Sequence, residues 1–435
     1  MNARTTALSA LIACRKQGAW ADGILKEYIA RDRLDKRDAA LASRLCYGVL
    51  QNRMLLDHYI SCCLKGSLKK LQPIVLDILR LGIYQIMMMD KIPVSAAVNE
   101  AVSQTKKYAN PRAAGLVNGV LRCAARENDT LPRPQDLSVR YSHPQPLVEL
   151  LRETVGEDGI EALLAAHNEA PRTVLHVNTL KSSACELSRQ LEALGVELTP
   201  HPWLQNAFFA SGTGNLESLP LFQDGTFMIQ DPAARLSVLA SDPKPGMRVL
   251  DGCAAPGGKS FAAAMLMENC GSIISCDIHE HKIKLLANGA QRLGVEILQP
   301  MQCDGREYVP QWDSTMDVVI ADVPCSGLGV IRKKPDIRYN DTEALKQLPE
   351  IQEQILNNLS RYVKPGGVLL YSTCTVLRRE NEAVAEKFLQ QHHDFTLEAF
   401  PLPEAFGRVC NGMITLLPSI HETDGFFICK MRRKT

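Results

Sequence analysis

The chain has 435 residues, 46% of them hydrophobic and 22% charged, with a formal net charge of +1, enough for about three domains of roughly 150 residues, each with its own core. No stretch approaches the ~18 consecutive apolar residues of a membrane helix and the N-terminus has no secretory pattern, so a cytoplasmic protein with no membrane partner is expected. The charge is segregated: residues 1–130 carry 20 Lys and Arg against 11 Asp and Glu, or +9, which leaves −8 for the remainder, and a basic N-terminal third favours a polyanionic partner.

From Thr5 to about Asn128, apolar residues recur three or four apart in 41–50, 74–89, 96–108 and 113–127, which predicts an all-α bundle. Gly66, Pro73, Pro93 and Pro111 punctuate it where helices should start or stop. The segment LPRPQDLSVRYSHPQP (131–146) has four prolines and no period, and is expected to be a linker. Residues 147–240 mix helical and strand patterns in α+β order. After SDPKPGM (241–247), apolar strands and amphipathic helices alternate to the end of the chain, the pattern of a doubly wound, Rossmann-like parallel sheet whose site lies at the carboxyl ends of its strands. The expected domains are 1–135, 145–238 and 239–435.

Fourteen cysteines are dispersed without a CxxC pair, so free thiols and no metal site are expected. The strongest local signal is VLDGCAAPGGKS (249–260), an apolar strand ending in Asp251, a Gly/Ala/Pro loop and a helix start. A phosphate-binding P-loop needs GxxxxGK[ST], but Gly258 intervenes between Gly257 and Lys259. Asp277 closes the next strand 20 residues after Gly257, the separation at which a carboxylate receives ribose hydroxyls, which favours an adenosine ligand without a phosphate tail. Asp304 and Asp322 end two further strands, and the four acids are expected to line one cleft. Cys325 in DVPCSG and Cys374 in YSTCT follow apolar strands on the same rim, which makes them candidate nucleophiles needing a nearby cation or base; Lys259 is one such cation.

DGCAAPGGKS, the Asp277 strand, ADVPCSGLGVIRKKPDIR, LLYSTCTVLRRENE and HETDGFF together resemble the Sun/RsmB family of S-adenosylmethionine-dependent RNA cytosine-5 methyltransferases. NTLK (178–181) and MIQDPAARL (228–236) resemble that family's pre-catalytic segments, and RDAALASRLCYGVL, VSAAVNEAV and GLVNGVLR resemble a NusB-like RNA-binding domain. The resemblance implies a multidomain fold: an all-α NusB-like bundle, a small α+β domain and a Rossmann-like methyltransferase domain. It implies 16S ribosomal RNA as the partner and S-adenosylmethionine as the cofactor, bound by Cys253, Ala254, Ala255, Pro256, Gly257, Gly258 and Lys259, with Asp277 on the ribose, Asp304 near adenine and Asp322 alongside. It assigns Cys374 to the covalent bond with C6 of cytosine and Cys325 to C5 deprotonation and enzyme release. Asp322 is assigned to the base edge and Lys259 to electrostatic support.

Arg332, Lys333, Lys334 and Arg338 are read as RNA phosphate contacts, the target cytosine as flipped out of any stack, and the molecule as a monomer. Pro146 departs from the family, which usually carries an aromatic residue there. Two other readings remain, a P-loop NTPase and a non-catalytic RNA-binding module.

Overall fold

The computed structural model describes residues 2–17, 20–406 and 410–435. They form two compact units: the chain up to Glu169 together with Ile331–Asn340, and Ala170–Val330 together with Asp341–Thr435. Among the described residues no helix is long and apolar enough to cross a membrane.

The first unit is helical: α1 (Ala3–Gln17), α2 (Ala21–Arg31), α3 (Lys36–Gln51), α4 (Arg53–Cys63), α5 (Pro73–Met88), α6 (Val94–Tyr108), α7 (Ala114–Arg126), α8 (Leu137–Arg140) and α9 (Gln145–Ala166), the last turned at Gly156. Sequence punctuation sets the ends: Pro73 opens α5, Pro93 precedes α6, and the Asp35 carboxylate accepts the Asp38 amide at the start of α3. The most apolar helix, α5, is central and packs on α1, α3, α4, α6 and α7. It buries Val75, Ile78, Leu79 and Ile83, each worth ~1.5–3 kcal/mol of transfer free energy. Close approach is possible because α3 carries Gly48, where an added Cβ would lie 2.0 Å from the Tyr84 ring.

Two segments differ from the sequence reading of domains. Helix α9, expected to open a middle domain at 145, belongs to the helical unit, and so does Ile331–Asn340, ten residues from the half of the sequence read as catalytic. Hydrogen bonding explains both: Arg338 donates to the carbonyls of Gln51, Tyr141, Ser142 and His167 and to the Asn168 side chain, while the Tyr339 hydroxyl donates to Leu50.

The second unit has two sheets. A four-stranded antiparallel sheet of β1 (Thr173–Val177), β2 (Glu197–Pro200), β3 (Ala207–Ser211) and β4 (Phe227–Ile229) has the order β2-β3-β1-β4 and carries α10 (Ala184–Ala193). The larger sheet contains β5 (Arg248–Asp251), β6 (Ser272–Asp277), β7 (Leu298–Gln302), β8 (Met316–Asp322), β9 (Val363–Thr373), β10 (Phe395–Leu397), β11 (Met413–Leu416) and β12 (Phe426–Arg433). Its order is β10-β12-β9-β8-β5-β6-β7, with β11 on β12. β5 to β9 are parallel, and β12 runs antiparallel to β9.

Continuous apolar strands serve both faces. Val318 and Ile320 join one core with residues of α12 (Pro232–Ser241), α13 (Gly258–Leu266) and α14 (Glu280–Leu293), whereas Val319 and Ala321 join the other with α15 (Leu348–Ser360) and α16 (Glu382–Gln391). Strand order reverses between β5 and β8, where a doubly wound sheet opens its ligand crevice.

Candidate active site

Three of the four strand-end acids line one cavity of about 390 Å³: Asp277, Asp304 and Asp322. Asp251 departs from the sequence expectation. It is fully buried and accepts the Ser260 hydroxyl at 2.7 Å, and Ser260 in turn accepts from Ser275 at 2.8 Å. Burial pushes the Asp251 carboxyl up to about 7. It therefore ties the strand end to the start of α13 beneath the loop and does not face the cleft.

The loop itself needs glycine at 257, where φ is 111° and an added Cβ would lie 2.3 Å from the Phe261 ring. Cys253 and Ala255 line the cavity, as does Gly252, while Ala254, Pro256, Gly257, Gly258 and Lys259 form the turn without lining it. Asp277 accepts the His279 amide at 3.0 Å and pairs with Lys282 at 3.4 Å. Asp304 is held by Arg306, its guanidinium lowering the carboxyl below the ordinary range. Three lining residues escaped the sequence reading: Ile278, Ile355 and Cys303, the last read as an inert core cysteine.

Beside Asp322 the two predicted cysteines meet, with Cys325 Sγ and Cys374 Sγ 3.3 Å apart. The Cys325 thiol is pushed well above its ordinary range, first by its hydrogen bond to Cys374 and then by burial. It is thus the protonated partner, donating toward Cys374. Lys259 Nζ pairs with Asp322 Oδ2 at 2.5 Å, and Ser372 donates to Asp322 Oδ1 at 2.8 Å. Burial alone would lower the lysine, but the adjoining carboxylate outweighs it and holds the ammonium above its ordinary range.

The loops carrying the thiols are stapled together. The Ser326 amide donates to Glu380 at 2.8 Å, Gln352 bridges Glu380 and the Pro324 carbonyl at 3.0 Å each, and the Ser326 and Thr375 hydroxyls lie 2.7 Å apart. Asn381 accepts from Thr373 at 2.5 Å and donates to the Thr375 carbonyl at 3.1 Å. Glu380 and Asn381 belong to the RRENE run, to which the sequence reading gave no role; both are completely buried.

The basic run does not behave as one patch. Lys334 is exposed and Arg332 and Lys333 are half-buried, but Arg338 is only 1% exposed and spends its guanidinium on backbone carbonyls and Asn168. The expectation that Arg338 meets RNA phosphate is therefore corrected: desolvation lowers its pKa to about 10, and its position is that of a clamp inside the helical unit.

With the geometry in view, the chain was compared with known proteins. Residues 238–432 match the family model for 16S rRNA methyltransferase RsmB/F, residues 1–126 that of the NusB family, and 143–215 a ferredoxin-like domain of RsmF/B-like methyltransferases. The probable ribosomal RNA small subunit methyltransferase B of Bacillus subtilis is 38% identical over 99% of this chain and 98% of that protein. The ribosomal RNA small subunit methyltransferase B of Vibrio cholerae is 32% identical over 100% and 98%. Among solved structures, PH0851 is 26% identical with a TM-score of 0.81 over 98% of each chain, and a methyltransferase homolog protein from Pyrococcus horikoshii is 28% identical with a TM-score of 0.59 over 68% of this chain and 98% of that one. The chain belongs to the RsmB/F family of S-adenosylmethionine-dependent 16S ribosomal RNA methyltransferases.

Proposed function

We propose that the chain methylates C5 of a cytosine in 16S ribosomal RNA through a covalent bond between Cys374 and C6. The observation that carries this reading is the 3.3 Å pair of thiols beside the Lys259–Asp322 ion pair. C5 of cytosine is a poor nucleophile, and addition of a thiolate at C6 makes it enamine-like. S-adenosylmethionine supplies the electrophilic methyl group. The donor set fits that cofactor: Asp277 offers oxygens to ribose hydroxyls, Ile278, 48% exposed, offers an apolar face to adenine, and Asp304 lies on the same cavity wall.

The chain's own residues divide the work. Cys374 accepts the hydrogen bond from Cys325 and is the nucleophile: its sulfur bonds to C6, and the displaced π electrons are taken up toward N3. Asp322 receives the N3–H formed there, while Lys259 keeps Asp322 ionised and oriented. Once Cys374 is bound to carbon, the anion that raised Cys325 is gone, so Cys325 releases its proton to solvent. The resulting thiolate takes the C5 proton after methylation, the S–C6 bond breaks, and Cys374 leaves as the thiolate. The balance is one methyl gained and one proton released.

The test is a denaturing gel after incubation with cofactor and protein-free 16S ribosomal RNA. Cys325→Ala should accumulate a protein–RNA adduct and Cys374→Ala should show none. The opposite pattern would exchange the roles, and methyl transfer by Cys374→Ala would end the covalent mechanism.

A further inference from the structure

The helical unit holds a cavity of about 270 Å³ that the methyl-transfer chemistry does not use, and a smaller one of about 140 Å³ with which it shares Trp20 and Asp336. Its floor is Leu11, Val49 and Leu50, and its walls carry Arg15, Arg53, Arg80, Asp77 and Asp336. Most of this charge is spent internally. Arg80 pairs with Asp57 at 2.7 Å and with Asp77 at 3.0 Å, and Arg15 pairs with Asp77 at 2.9 Å. Two groups are left over. Arg53 makes no hydrogen bond or ion pair among the described residues; its guanidinium lies flat on the Tyr339 ring at 3.4 Å, and desolvation lowers its pKa. Asp336 accepts the Ala21 amide through Oδ2, which leaves Oδ1. At the mouth Trp20 is 57% exposed, an unusual cost for the largest apolar side chain, and the smaller cavity adds Tyr47, Lys333 and Lys334.

An occupant must therefore offer a flat face to Trp20, anionic groups to the lysines, and a polar edge that accepts from a guanidinium while donating to a carboxylate. A nucleotide meets all three. We propose that this cavity is a second RNA-binding site, one that captures an unpaired nucleotide whose base carries an exocyclic amine. The base stacks at Trp20 with its edge toward Arg53 and Asp336, and the flanking phosphates lie on Lys333 and Lys334. The inference rests on ribosomal RNA being the substrate, and it assigns the helical unit a nucleotide pocket of its own rather than a diffuse basic surface.

The probe is a fluorescein-labelled, cytosine-free, single-stranded RNA of 12 nucleotides with a central 4-thiouridine, which cannot serve as a methylation substrate. On the full chain, irradiation should attach it to peptides containing Trp20 or Tyr47. Trp20→Ala and Arg53→Met should each weaken binding about fivefold or more, and Lys334→Ala should reduce the slope of log K against log salt by about 0.7. Trp20 is exposed, so its variant tests the site even where Arg53→Met fails to fold; cofactor titration checks folding in each case. Cross-links confined to other peptides, with binding by Trp20→Ala within twofold of wild type, would overturn the site. Methyl transfer to 16S RNA is assayed separately: a wild-type chain that methylates while Trp20→Ala binds the probe normally ends this inference alone, whereas RNA held at Trp20 by a chain that does not methylate upholds it and ends the proposed function.

Discussion

Two buried cations divide the molecule's use of charge. Lys259 in the catalytic cleft is paired with a carboxylate and held charged, whereas Arg338 in the helical unit is surrounded by neutral carbonyls that drag its pKa down to about 10. Both answer to one continuous motif, since Asp322 and Arg338 lie only sixteen residues apart in ADVPCSGLGVIRKKPDIR. The front of the motif serves chemistry, and there a charge is kept where charge must develop in the transition state. The back of the motif serves architecture, and there a charge is used only as a rigid fork of donors to gather loop ends.

The largest effect expected is on the cleft. Lys259→Met leaves Asp322 without its counterion and should slow single-turnover methyl transfer by about 10²–10³-fold, with an added stability loss on the order of 3 kcal/mol from the uncompensated carboxylate. A variant that merely loses stability and transfers methyl at the wild-type rate would break the comparison, because Lys259 would then be as structural as Arg338.

Arg338→Met should show the converse profile. It strands the carbonyls of Gln51, Tyr141 and Ser142 and the Asn168 side chain, a loss of roughly 3 kcal/mol visible as faster amide exchange at the ends of α3 and α9, with cofactor affinity unchanged. Arg338→Lys should recover only part, since an ammonium lacks the planar fork. Wild-type exchange in Arg338→Met would remove the clamp.

This pair also marks what the sequence could and could not disclose. The strand-end acids and the two thiols were legible because a fully apolar strand such as MDVVIAD has a visible end, and a doubly wound sheet opens its site there. The inward turn of Arg338 was not, because RKKPDIR reads as one cationic run; only the short turn Pro335–Tyr339 buries Ile337 and Arg338 while Lys334 stays exposed. Glu380 was hidden for a related reason. A carboxylate in a polar RRENE run has no periodic signal, and its value lies in partners 28 and 54 residues away. Asp251 misled in the opposite sense, since a strand-end acid and a cleft acid look the same until Ser260 is seen to hold it.

Acid should separate the regions more gently. His143 and His167 stack in the helical unit with ring nitrogens 3.2 Å apart; burial, reinforced by Arg338, lowers His143 well below its ordinary range and His167 to about 3. Their folded pKa values lie below the unfolded value near 6.5, so the unfolded chain binds more protons in between. Stability is complete above about pH 6.5 and falls on acidification toward pH 3, by up to ~1.4 kcal/mol per pH unit for each histidine. Exchange of the amides at the end of α9, followed from pH 7 to pH 4, should report the fall. His167→Gln should make it shallower, and an unchanged slope would show that the imidazole is not the group responsible.

The smallest expected effect probes the finest difference between the two cations, namely orientation. Asp322 is held on both sides, by Lys259 at Oδ2 and by the Ser372 hydroxyl at Oδ1. Ser372→Ala removes one neutral hydrogen bond, worth about 1 kcal/mol, and leaves the ion pair. If the pair alone fixes the carboxylate, methyl transfer should be untouched. If the hydroxyl aims the oxygen meant for the base edge, kcat should fall about fivefold with cofactor affinity unchanged, and Ser372→Thr should restore part of it by returning a hydroxyl to the same strand position. The second outcome is expected. An ion pair is satisfied over a range of angles, whereas a hydrogen bond to a base edge is not, and a serine fixed in β9 opposite Asp322 supplies the missing angular restraint.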